Sequence, residues 1–253
     1  MENRDNENSL LMLLSEASSS YTNNALGRII KSCDGMLEDE LPAYVKENLA
    51  DIDAECCKLM RNRLLLTRLI SYCLDKKTEK CCSFTDVYAY TVETVRAIAK
   101  QEKADFDCND YQPECKVYAS AESCCLLLLL PLALTLEREK SVRTRLIASS
   151  KPGRVELEFA VFGELPDIDS LAEECMKTDR SSGLFFIEPL IAYNLKKTVN
   201  ECGAEMTVKK NKLIISLPKA PKNAKINSYA TPYIDNRFSL PYLLLAGIIR
   251  REI

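Results

Sequence analysis

The sequence contains no histidine. That absence excludes every mechanism built on imidazole: a Ser-His-Asp triad, a Cys-His pair, histidine metal ligands and phosphohistidine. Any chemistry must therefore fall to carboxylate, lysine, tyrosine, serine or cysteine. A dominant charge is also missing. Thirty-four Lys and Arg stand against 37 Asp and Glu, for a net charge of −3. The basic residues are scattered, so the chain shows no electrostatic footprint for nucleic acid or an anionic membrane surface.

No apolar run has the length of a membrane span. The longest, from Cys124 to Leu136, is 13 residues with Pro131 inside it, against the ~20 needed to cross a bilayer. A second run, "SLPYLLLAGII" at 239–249, is shorter still. The opening "MENRDNENSL" is polar and acidic and lacks the basic-then-apolar pattern of a signal peptide, so a cytoplasmic protein is expected. Hydrophobic content of 47% with 28% charged residues suits a soluble globular chain.

Cysteine, by contrast, is plentiful at 12 residues. Three adjacent pairs occur, Cys56-Cys57, Cys81-Cys82 and Cys124-Cys125, and none has the two-residue gap of a metal knuckle or redox motif. Cys108 and Cys115 are the nearest approach to one, with no matching second pair. In a reducing compartment such residues read as small buried hydrophobes. No metal site is expected.

Residues 44–76 predict a long helix. Val45, Leu49, Ile52, Cys56, Leu59, Leu66, Ile70 and Cys73 fall on alternating four- and three-residue steps, with Arg63 the one charged intruder. The pattern is a heptad-type seam suited to a bundle or dimer. Residues 8–38 form a second helical stretch in which Leu26, Ile29, Cys33 and Met36 repeat the step, and Pro42 marks the turn between the two. Two antiparallel helices of about 30 residues would each run about 45 Å. Alone they leave apolar surface exposed, which a second hairpin would cover in a four-helix bundle.

The pattern changes at residue 83. "SFTDVYAYTVETVRAIAKQEKA" predicts a short strand, an N-cap at Thr85 or Asp86, and a helix. "DFDCND" and "KVYAS" read as strands, and 121–140 as a helix. "VRTRLIAS" and "RVELEFAVFG" alternate, the latter placing Val155, Leu157, Phe159 and Val161 on one face, with a turn at Lys151-Pro152-Gly153. Helices are expected at about 167–178 and 185–201, and a closing hairpin turns near Asn211. The order gives an α+β fold: a helical hairpin over 1–80, a two-layer α/β sandwich over 81–218 with helices on one face of a mixed sheet, and an extension over 219–253 packing on the domain or the dimer. The apolar 239–249 segment is expected to cover a cleft or a sheet edge.

With these segments quoted, a family resemblance emerges over roughly residues 8–218. The chain resembles the dimerisation hairpin plus ATP-binding domain of bacterial sensor histidine kinases, a domain shared with the gyrase and MutL ATPase group. "FTDV" before a helix, "KVYASAESCCLLLLLPLALTLERE", "RVELEFAVFGELPD" and "NECGAEMTVKKNKLIISLP" resemble in turn the domain start, the N-x-x-x-N helix, the strand leading into D-x-G-x-G, and the closing hairpin.

The resemblance also implies that the chemistry has been lost. Leu128 and Leu132 fall where the family's two Asn hold Mg²⁺, and leucine has no oxygen for a hard cation. Val161 replaces the Asp that anchors adenine, and of D-x-G-x-G only Gly163 survives. Of the second glycine motif only Gly183-Leu184 is recognisable, and no glycine lies between Gly163 and Gly183 to hinge a lid. "SYTNNALGRII" resembles the phosphoacceptor stretch H-E-x-x-N-P-L, with Asn24, Ala25 and Leu26 for N-P-L, Ser20 for the histidine and Tyr21 for the acid. The expectation is a degenerate pocket lined by Leu128, Leu132, Val161, Gly163 and Gly183, with no catalytic residue and no cofactor. The implied protein is a pseudokinase: a homodimeric scaffold for a response regulator or an active histidine kinase. An alternative keeps ATP and Mg²⁺ through unusual contacts in which Glu137, Glu139, Asp167 and Asp169 coordinate the metal, and a phosphotransfer role is disfavoured by the missing histidine.

Overall fold

The computed structural model describes residues 2–37, 39–74, 80–101, 105–111, 113–138, 143–177, 187–229 and 239–249. The chain divides into two compact units, one built on the first two helices and one spanning Thr78–Leu245.

In the first unit, α1 (Glu2–Leu37) and α2 (Ala43–Leu74) pack on each other. The Pro42 carbonyl starts α2, accepting from the N–H of Val45 at 2.9 Å and of Lys46 at 3.2 Å. Proline suits that place because its fixed φ leads into a helix. The sequence places Leu26, Ile29, Cys33 and Met36 on one seam; the structure separates them. Leu26, Ile30 and Cys33 are buried, while Ile29 and Met36 are 44% and 50% exposed. On α2, Cys56 of the expected seam is buried together with Ala54, Cys57, Met60 and Leu65, whereas Ile52, Leu59 and Ile70 are exposed. A two-helix contact takes only one stripe from each helix, and the heptad count had merged two neighbouring stripes into one. Asp53 and Arg61 are each only 1% exposed, a burial that periodicity of apolar residues does not reveal.

The second unit opens with β1 (Cys82–Ser83) and α3 (Phe84–Gln101). The helix starts two residues earlier than a cap at Thr85 would set it, and three earlier than a cap at Asp86. Its cap is Ser83, whose Oγ accepts from the Asp86 N–H at 3.3 Å, while the Thr85 hydroxyl donates to the Pro113 carbonyl at 2.7 Å. There follow β2 (Phe106–Cys108), β3 (Lys116–Val117), α4 (Ala121–Arg138), β4 (Thr144–Lys151) and β5 (Arg154–Val161). Next come α5 (Ile168–Lys177), α6 (Ile187–Glu201), β6 (Glu205–Lys209), β7 (Lys212–Pro218) and α7 (Leu240–Ile249).

Five strands form one sheet in the order β2-β4-β5-β7-β6, with β2 parallel to β4 and the other pairs antiparallel. β1 and β3 form a separate two-stranded antiparallel ladder. Register aligns the apolar residues of three strands: Leu146 faces Phe159 and Phe159 faces Leu213, and Ala148, Leu157 and Ile215 repeat the row. All six are buried. Period-2 alternation therefore builds one continuous core face, against which the helices lie. The turn between β6 and β7 places Lys210 at φ 53°, and Gly153 takes φ 72° between β4 and β5, where a residue without a side chain meets no strain.

Residues 219–229 lie as a strap on the second unit. The N–H groups of Asn227 and Ser228 donate to the Cys81 carbonyl, the Cys81 N–H donates to Asn227 Oδ1 at 2.7 Å, and the Ala121 N–H donates to Ser228 Oγ at 2.9 Å. Lys116 Nζ adds bonds to the carbonyls of Lys222 and Ala224. In α7, Leu244 and Leu245 are fully buried.

Candidate functional site

The site that the sequence singles out is built on α4. This helix is apolar on every side, and the residues from Ser123 to Leu136 are all buried. Such a helix can only be central. It packs against α3, α6 and β5. Pro131 lies within it and forfeits the bond to the carbonyl of Leu127, and the Thr135 hydroxyl turns back to the Pro131 carbonyl at 2.9 Å. The other polar atoms of α4 are matched to its neighbours. Ser123 Oγ lies 2.7 Å from Ser120 Oγ and donates to Glu201 at 3.3 Å. Cys125 Sγ lies 3.0 Å from the Thr91 hydroxyl, and Cys124 Sγ lies 3.5 Å from Cys82 Sγ.

Leu128 and Leu132, four residues apart, share one face of α4 and are 2% and 4% exposed. Val161, at the end of β5, is 3% exposed. Its N–H donates to the Asn211 carbonyl and its carbonyl accepts from Asn211 Nδ2, both at 3.0 Å. These three side chains offer only carbon, so what they do chemically is pack. Gly163 is exposed just beyond the strand. Gly183 and Leu184 lie outside the described residues, as does Glu139. Ser20 is an exposed residue of α1.

The acidic residues near this site hold the fold together. Asp167 caps α5: its Oδ1 accepts from the N–H groups of Asp169 and Ser170 at 3.1 Å, and its Oδ2 from the Ser170 hydroxyl at 2.9 Å. The backbone hydrogen bond from Ser170, then that from its side chain, holds the Asp167 carboxyl below the usual range. Asp169 pairs with Lys196 of α6 at 2.6 Å, and Arg138, ending α4, pairs with Glu188 of α6 at 3.2 Å. The segment after Gly163 is thus, over 168–177, a capped helix packed on α6. Glu137 is half-buried at the end of α4.

Burial raises several thiols above their ordinary range, Cys81 and Cys108 among them. Burial pushes Cys125 up to about 11, and the Cys82 hydrogen bond followed by burial raises Cys124 further. Cys115 moves the same way. These are protonated thiols, poor nucleophiles and poor metal ligands. Sequence reasoning missed two features here. One is how the expected extension is fastened over 219–229, through Asn227 and Ser228, whose only signal was an Asn-Ser pair. The other is Phe162, 63% exposed with the Arg143 guanidinium 5.2 Å from its ring centre.

No family model and no curated protein matches the chain. Solved structures do. The full-length ShkA structure in complex with AMPPNP aligns over 85% of this chain at 12% identity and a TM-score of 0.56, with the chain spanning 47% of ShkA. The histidine kinase ThkA, solved with the response regulator TrrA, aligns over 88% of this chain and 66% of its own length, at 15% identity and a TM-score of 0.49. The ATP-binding domain of PrrB from Mycobacterium tuberculosis aligns over 56% of this chain and 98% of that domain, at 14% identity and 0.40. At these identities the likeness is one of fold. The second unit is a five-stranded mixed sheet packed against helices. Among the described residues no helix is long and apolar enough to cross a membrane.

Proposed function

We propose that this chain is a non-catalytic relative of histidine kinases: a dimeric signalling scaffold whose paired helices engage a response regulator or an active histidine kinase. The observation that carries the reading is α4. At the two positions that by resemblance would hold Mg²⁺, and at the position that would anchor adenine, stand Leu128, Leu132 and Val161, all buried. Divalent cations need oxygen ligands, and this face supplies none.

Dimerisation is supported by the exposed stripe of the first unit. Ile29 and Met36 on α1, and Ile52 and Leu59 on α2, repeat at seven residues and are 44%, 50%, 46% and 52% exposed. A heptad-spaced apolar stripe left in solvent is the surface that a second copy would cover, giving a four-helix bundle of the kind the family uses to dock regulators.

The test joins two measurements on the full chain. Light scattering is expected to give twice 28.5 kDa. Thermal-shift and calorimetric titration with ATP and ADP, with and without Mg²⁺, is expected to show no saturable binding at millimolar nucleotide. A ligand at 100 times its dissociation constant would stabilise the fold by about 2.7 kcal/mol, well within detection. Saturable binding would sink the non-catalytic reading, and a monomer would sink the dimeric scaffold.

A further inference from the structure

We propose that Cys82 and Cys124 are a redox pair that closes to a disulfide when a hydroperoxide oxidant is present, tying the first strand of the second unit to its central helix. The two sulfurs stand 3.5 Å apart and both residues are essentially unexposed, at 0% and 1%. A disulfide needs sulfurs at about 2.05 Å, so the pair has about 1.5 Å to close. Neighbouring thiols are differently placed. Cys125 is engaged by the Thr91 hydroxyl, and Cys115 Sγ is directed to the Lys116 carbonyl at 3.6 Å.

Both thiols are buried, so the oxidant needs a route. The structure places one thiol on a two-residue strand and the other on the central helix of the unit. β1 is two residues long and its only ladder partner is the two-residue β3, so its opening has to release that ladder, the strap's bonds to Cys81 and the Phe84 N–H bond to the Cys115 carbonyl, and nothing of the main sheet. Local opening of so short a strand costs far less than global unfolding. It would carry Cys82 into solvent while Cys124 stays fixed in α4. The Cys82 thiolate then attacks the peroxide oxygen, giving a sulfenic acid and releasing water (or the alcohol of an organic hydroperoxide). As β1 begins to reclose, with water still at the opened site, Cys124 gives its proton to solvent and its thiolate attacks that sulfenic sulfur; the S–O bond breaks, and the departing hydroxide takes up a proton and leaves as a second water. In sum, two thiols lose two hydrogens and one peroxide is reduced. A dithiol reductant reverses the step.

The experiment treats the full-length reduced protein with hydrogen peroxide, alkylates remaining thiols in denaturant, and maps peptides without reduction. The expected result is one dominant cross-linked pair joining the Cys82 and Cys124 peptides, a mass loss of two hydrogens, and reversal by dithiothreitol. Hydrogen exchange of the amides of 81–84 should slow in the oxidised form. Cys82→Ala is expected to abolish the cross-link and leave Cys124 alkylatable. The idea is overturned if both cysteines remain fully alkylatable after a treatment that oxidises other thiols, or if either maps to Cys115 or Cys202 instead. The wild-type map decides between these outcomes even if the variant does not fold.

Discussion

Replacing Leu128 with Asn tests whether α4 forms the floor of an open cleft or a filled core. The two pictures assign very different energies to one side chain. If Leu128 faces a cleft vacated by nucleotide, an amide there stays hydrated and the change is nearly neutral. The structure places it at 2% exposure on a helix packed against α3, α6 and β5. Truncating a buried leucine costs about 3–5 kcal/mol, transfer and cavity together. An amide carried into that space without a partner adds about 1–3 kcal/mol of desolvation. Asn fills part of the volume, so the net expectation for Leu128→Asn is a loss of about 4 kcal/mol.

Against a total stability of about 5–15 kcal/mol, that leaves the second unit marginal. Urea titration followed by circular dichroism, on wild type, Leu128→Asn and Leu128→Met, measures it directly. The Met variant conserves volume and should cost under about 1.5 kcal/mol. The melting temperature of the Asn variant should fall by roughly 10 °C. A loss below about 1 kcal/mol for Asn would refute the filled core, and a gain of Mg-ATP binding would show that the cleft persists beneath leucine.

Other consequences follow from the same contacts. Cys125 stays protonated up to about pH 11, against an ordinary thiol value of 9.0 when unfolded; the stability this represents is complete below pH 9 and is lost as pH rises toward 11. For so deeply buried a thiol it amounts to about 2–3 kcal/mol, measurable as the difference in alkaline melting between wild type and Cys125→Ala. Asp167 has its carboxyl held below the ordinary carboxylate value of 3.8, so its cap acts above that pH and fades in acid. Asp167→Ala should therefore raise hydrogen exchange in the first turn of α5 at pH 7, and an unchanged exchange pattern would remove the capping assignment. Leu59→Glu, on the exposed stripe of α2, is expected to halve the mass seen by light scattering while leaving helicity intact; a mass unaffected by the change would move the dimer interface elsewhere. Asn227→Ala strips the Cys81 N–H of its partner and should cost about 1–2 kcal/mol, read by chemical denaturation.

Much of the fold was legible because its signals are local and repeated. The alternation through 154–161 and 212–218, the turn at Gly153 and the apolar stretch of α4 each follow from a period or a residue with one conformational use. Burial by distant partners was not legible in the same way. The seam through Ile52 and Leu59 is present in the heptad count, yet within one chain the buried stripe of α2 runs through Ala54, Cys57, Met60 and Leu65. Periodicity reports that a face is apolar and not which neighbour covers it. The cap is Ser83 and not Thr85, two positions on, because Thr85, an equally good capping residue, is bonded to Pro113, 28 positions along the chain. The strap escaped for a related reason: its bonds reach from Asn227 to Cys81 across 146 positions.

The leucines of α4 also bear on how such a scaffold persists. In a nucleotide-binding domain the residues facing the ligand are held in a cleft that is wet without it. On the proposed reading, apolar side chains at those positions have joined the core, and the helix is buried all round from Ser123 to Leu136. Placing a single Asn at Leu128 or Leu132 would then cost several kcal/mol, because the amide would be buried without a partner. Val161 and the segment beyond Gly163 would have to change as well before nucleotide could repay the loss. Each step toward binding is destabilising until the last. On the proposed reading the domain is therefore fixed in its role as a packed support, and selection on this chain acts through the surfaces it presents.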